Sequence, residues 1–127
     1  MTDDKKIKVL VLDDEASIRE SLTDFLEDFN FSVRSAETAE DALNVISRDP
    51  CEVAIVDLRL PGMDGNSFIL QANKICPKTR YIVHTGSVNY HLSAAVRAIG
   101  VSSDYVFLKP VPDLMHFVAT IHKLLEE

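Results

Sequence analysis

A chain of 127 residues that is 46% hydrophobic, with four glycines, five prolines and no biased tract, is one domain able to bury its own core, not a disordered polymer. Its 20 acids against 13 bases leave a net charge of −7, which argues against any direct, broad electrostatic grip on nucleic acid or on an anionic membrane. No run approaches the roughly 20 apolar residues of a bilayer span, and the start MTDDKKIK is too acidic for a secretory signal, so the expected compartment is the cytoplasm.

The first six residues read as a flexible lead to a core over 7–125. Ile7 to Leu12 is a nearly continuous apolar run, as in a strand buried on both faces, and it stops at Asp13-Asp14. Ile18, Leu22, Phe25, Leu26 and Phe29 then fall on one helical stripe. Phe31 to Arg34 alternates apolar and polar, which predicts a half-exposed edge strand. Thr38, with Asp41 three residues on, caps a second helix that stops near Pro50.

Val53 to Val56 is a second wholly apolar strand and ends on Asp57. The segment LRLPGMDGN forms a loop into a third helix carrying Phe68, Ile69, Ala72 and Ile75, closed by Pro77. Tyr81 to Val83 is the fourth strand. Thr85-Gly86-Ser87 leads into a helix expected from about Asn89 to Ile99, with Gly100 after its last turn. Tyr105 to Leu108 is the fifth strand and stops at Lys109; Leu114, Phe117, Val118, Ile121 and Leu125 mark the last helix.

Strands alternating with helices predict a doubly wound, flavodoxin-like (βα)5 fold with helices on both faces. With the amphipathic second strand at an edge and right-handed crossovers, the strand order is 2-1-3-4-5. Asp13, Asp14 and Asp57 would then flank the switch point between strands one and three, with Thr85 and Lys109 on the neighbouring strand ends. Like charges about 4 Å apart repel by roughly 4 kcal/mol at an effective dielectric near 20, a penalty that a divalent cation removes. Hard carboxylate oxygens suit magnesium, with manganese able to stand in; no His or Cys joins the cluster, which disfavours zinc. Asp13-Asp14-Glu15 alone would serve equally as a complement to a helix dipole. Asp57 and Lys109 at the same edge point instead to a place for an anion, with Asp57 a carboxylate nucleophile for phosphoryl transfer.

VLDDE after the first strand, VDLRLPGMDG around the third, Thr85 with a small residue after the fourth and Lys109-Pro110 after the fifth together resemble the receiver domain of two-component response regulators, over essentially the whole chain. The resemblance implies that Asp57 accepts a phosphoryl group from a histidine kinase or a histidine phosphotransfer protein. Asp13, Asp14, Asp57 and the Arg59 backbone carbonyl would hold Mg2+. Thr85 and Lys109 would sense the phosphoryl group, the bond before Pro110 would be cis, and Arg59 and Ser87 would tune hydrolysis. The output would be a downstream domain or protein, or a homodimer through helix 4, strand 5 and helix 5.

The aromatic that such domains carry three residues before the lysine is replaced by Val106, with Tyr105 and Phe107 on either side. Either a bulge returns Tyr105 to the switch role, or the aromatic coupling is absent or altered. The domain would be a phosphoacceptor rather than an enzyme. The alternatives are an aspartyl phosphohydrolase of the haloacid dehalogenase type, whose DxD pattern Glu15 and Arg59 interrupt, and a degenerate receiver acting without phosphate. Cys51 and Cys76 have no zinc or redox spacing and read as small apolar fillers. His84 reads as a packed polar residue facing away from the site.

Overall fold

A computed structural model describes residues 6–126, so the expected flexible lead lies almost entirely outside the described residues. The elements run β1 Ile7–Leu12, α1 Ala16–Asp28, β2 Phe31–Ala36, α2 Ala39–Arg48, β3 Val53–Val56, α3 Gly65–Ile75, β4 Arg80–Thr85, α4 Ala94–Ala98, a 3-10 turn Ser103–Tyr105, β5 Val106–Leu108 and α5 Met115–Glu126. All strand pairs are parallel and the sheet order is β2-β1-β3-β4-β5, as the hydrophobic pattern predicts.

The apolar runs of β1 and β3 are continuous because each face of the sheet meets its own helical layer, and successive side chains serve opposite faces. Leu10, Leu12, Ala54, Val56, Tyr81 and Val83 pack with Ala42, Ile46, Phe68, Ile69 and Val96 of α2, α3 and α4. Val9, Val11, Val53, Ile55 and Ile82 pack with Leu22, Leu26, Phe117, Val118 and Ile121 of α1 and α5. Fully burying a side chain of this size contributes about 1.5–3 kcal/mol, so two filled layers fix the register that aligns the strand ends.

Thr38 caps α2 as expected, accepting from the Asp41 N–H (3.1 Å), and Asp64 caps α3 in the same way, accepting from the Ser67 N–H (2.9 Å). The helix after β4 differs from expectation. It begins at Ala94, capped by Ser93, because Asn66 of α3 ties the preceding loop down: its amide donates to the His91 carbonyl (2.8 Å) and its oxygen accepts from the Ser93 N–H (2.9 Å). With those groups engaged elsewhere, residues 89–93 cannot close helical turns. Gly100, at φ +105°, ends the helix as expected.

Candidate functional site

The site is built by strand ends. One residue beyond β1, β3 and β5, the amides of Asp13, Asp57 and Lys109 still donate across the sheet, to the carbonyls of Ala36 (3.2 Å), Leu12 (3.0 Å) and Thr85 (2.8 Å). Backbone ladder bonds thus fix where each side chain leaves the chain. Asp13 and Asp57 are 2% and 5% exposed, and Lys109 lies between them. Its Nζ is 2.8 Å from Asp13 Oδ2, 3.1 Å from Glu15 Oε2 and 3.2 Å from Asp57 Oδ2.

The second oxygen of each buried carboxylate is held by a local turn. Asp13 Oδ1 accepts from the Glu15 N–H (2.9 Å) and Asp57 Oδ1 from the Arg59 N–H (3.1 Å). Arg19, one turn into α1, donates to the Asp13 carbonyl (2.8 Å) and braces the β1 end from the helix side. Gly65 opens α3 directly against the Asp57 backbone. A Cβ there would stand 2.8 Å from Leu58 Cα and closer still to the Asp57 carbonyl, so only glycine lets the helix approach.

Burial pushes the Asp57 carboxyl above its ordinary value, with Lys109 opposing the shift and Asp13 adding to it. Burial also disfavours the Lys109 ammonium, but hydrogen bonds to Asp13 and Glu15 and the charges of Asp13 and Asp57 outweigh it, and the net shift is upward. His84 is 4% exposed, edge-on to Phe117, and burial together with the Lys109 charge lowers it to about 4. It is a neutral packed side chain on the face opposite Thr85, as expected from its place in β4.

Of the acids singled out from the sequence, Asp13 and Asp57 are enclosed and Asp14 is exposed beside them. Glu15 completes the group: one carboxylate oxygen from each of Asp13, Asp14, Glu15 and Asp57 lies within 4.8 Å of the others. Its role escaped the sequence reading, although its place directly after two acids at a strand end was a usable signal. Thr85 is fully buried, with its hydroxyl oxygen accepting from the Ser87 N–H (3.3 Å). Arg59 reaches across the mouth, Nη2 to Ser87 Oγ 3.4 Å, joining the two positions expected to tune hydrolysis. The Lys109-Pro110 peptide bond is cis.

The bulge on which a switch role for Tyr105 would depend is absent. The pairing of Val83 with Val106, His84 with Phe107 and Thr85 with Leu108 is continuous, so no bulge rotates Tyr105 toward Thr85. Tyr105 lies in the 3-10 turn before β5 and packs on the α1–α5 layer, whereas Val106 takes the position on the Thr85 face.

This arrangement has close relatives. The response regulator receiver domain model matches residues 9–122. The chain belongs to that family. It is 33% identical over 110 residues to a probable chemotaxis protein CheY of Rhizobium etli, covering 84% of this chain and 83% of that one. It is 30% identical over 124 residues to the hydrogenase transcriptional regulatory protein HoxA of Cupriavidus necator, covering 97% of this chain and 25% of the relative. The structure of the receiver domain of AraT, a response regulator from Geobacillus stearothermophilus, superposes with a TM-score of 0.77 at 35% identity over 96% of this chain and 95% of that one. The receiver chain spans only about a quarter to a third of the length of several curated relatives, among them HoxA and a protein-glutamate methylesterase of Paramagnetospirillum magneticum. The family is one of signalling phosphoacceptors, and among the described residues no helix is long and apolar enough to cross a membrane.

Proposed function

We propose that this receiver domain takes a phosphoryl group onto Asp57 from a phosphohistidine of a histidine kinase or phosphotransfer protein in the cytoplasm, and that this changes its α4-β5-α5 surface to control an output domain, a partner protein or a second copy. The observation that carries the reading is the buried Asp57 carboxylate with Lys109 Nζ 3.2 Å from its Oδ2. In the transfer a carboxylate oxygen of Asp57 forms a bond to phosphorus as the bond from phosphorus to the donor imidazole nitrogen breaks, and the imidazole leaves. Phosphoryl transfer asks the protein mainly for positioning and charge neutralisation. Local turns aim the carboxylate, and Lys109 supplies a compact positive charge beside it. Thr85 accepts one hydrogen bond and retains a proton to donate to a phosphoryl oxygen.

The residues present fit a hard divalent cation: the Asp13, Asp14 and Asp57 carboxylates cluster at the strand ends, and among the described residues no histidine or cysteine joins them. Asp13, Asp14, Asp57 and the Arg59 carbonyl would hold Mg2+ or Mn2+. Bound there, the ion would offset the charge that gathers on the phosphoryl oxygens. Arg59 and Ser87, bridged across the mouth, would govern the entry of water and so the lifetime of the acyl phosphate. No observation favours the phosphohydrolase, and Asp57 with its ion-paired Lys109 gives a degenerate receiver no support.

Incubation with Mg2+ and a small phosphodonor should add one phosphoryl group, found by intact mass or by phosphate-affinity electrophoresis, and Asp57→Asn should abolish it. Incorporation that survives in Asp57→Asn would overturn the assignment.

A further inference from the structure

An ammonium has three protons to donate, and Lys109 directs them at three carboxylates, Asp13, Glu15 and Asp57. None is spare for a phosphoryl oxygen. Two of the three acceptors are fixed: Asp13 and Asp57 are buried, with their other oxygens tied to the Glu15 and Arg59 amides. Glu15 differs. Its side chain is 57% exposed, and although it stands at the N-cap of α1 it makes no side-chain capping bond; its carboxylate reaches over the strand ends to Lys109, 94 residues away.

We propose that Glu15 is a displaceable counter-ion, a positioning residue that holds Lys109 in the resting site and that a phosphoryl oxygen on Asp57 replaces. The inference rests on the phosphoacceptor reading of Asp57. Before transfer Glu15 occupies the third proton of Lys109; after transfer the phosphoryl oxygen takes that proton and the Glu15 carboxylate swings out to water. Because the carboxylate is solvated and its backbone is held by the Asp13 turn, its release requires no backbone movement. Glu15 therefore sets a threshold. It disfavours the phosphorylated arrangement and keeps Lys109 engaged until a donor arrives.

Three readouts on wild type and Glu15→Gln test this. With a small phosphodonor at saturating Mg2+, the variant should take up phosphate faster by roughly two- to fivefold, the range set by a solvent-exposed ion pair. It should bind beryllofluoride more tightly by a similar factor, while its Mg2+ midpoint stays within about twofold of wild type. Peptide-level mass spectrometry should show Lys109 acylated more readily in the variant, a readout that needs no phosphoryl transfer. A variant that is no faster than wild type, or whose Lys109 is no more reactive, overturns the role of Glu15. So does a weakened Mg2+ midpoint, which would make Glu15 a metal-holding residue. Wild type that takes up no phosphate overturns the phosphoacceptor reading itself, whereas phosphorylated wild type with an unresponsive variant overturns only the counter-ion.

Discussion

Asp57 carries a negative charge where the fold makes charge expensive. Burial raises its carboxyl above the ordinary value of 3.8, and the Lys109 ammonium offsets only part of that. The folded chain therefore binds this proton more readily than the unfolded chain does. Stability contributed by the protonated form is present at low pH and declines as pH rises from the ordinary carboxylate value through the raised one, after which it stays level. In chelator, Asp57→Asn should thus be more stable than wild type near neutral pH, with the gap closing toward about pH 4 as both side chains become neutral. Lys109 keeps Asp13 and Glu15 as partners in the variant, so no cation is stranded. Urea denaturation at a series of pH values measures the gap. A gap that widens on acidification would reverse the sign of the argument.

The elements carry this charge only because they meet the sheet edge closely. Gly65 lets α3 begin against the Asp57 and Leu58 backbone, and its own N–H donates to the Leu58 carbonyl (3.0 Å). Both neighbours a methyl would meet are backbone, so neither can rotate away. Gly65→Ala should cost about 1–3 kcal/mol in denaturant unfolding, the usual range for overpacking, and should also slow phosphate uptake because the displaced loop carries the Asp57 turn. Unchanged stability would show that the helix retreats without strain. Much at this scale was legible in the sequence: strands, helix caps and the edge position of β2 follow from period, capping residues and alternation. The length of α4 was not, because Asn66, far away in sequence, takes up the loop's hydrogen bonds. Nor was the face of Tyr105. A one-residue offset reverses the side of a strand, and only the observed pairing of β4 with β5 decides whether a bulge compensates.

At the scale of the molecule, the topology collects acids that the sequence spreads over 45 positions. Asp13 and Asp57 were legible as partners because order 2-1-3-4-5 makes β1 and β3 neighbours. The reach of Glu15 to Lys109 depends on side-chain direction and left no periodic trace. The clustered carboxylates repel one another within a chain already at −7, and one ammonium does not neutralise four of them. An ion bound only by the folded state would lift stability by mass action, about 2.7 kcal/mol at a hundred times its dissociation constant. For a domain of this size that is a rise in melting temperature on the order of 10 °C. Simple screening by salt would raise it too, because the whole chain is acidic. The two are separable: sodium chloride at matched ionic strength should raise wild type and Asp13→Asn alike by a small amount, whereas magnesium chloride should give its extra rise only in wild type. Equal responses to both salts, or an undiminished magnesium response in Asp13→Asn, would mean that the strand-end carboxylates do not form a cation site.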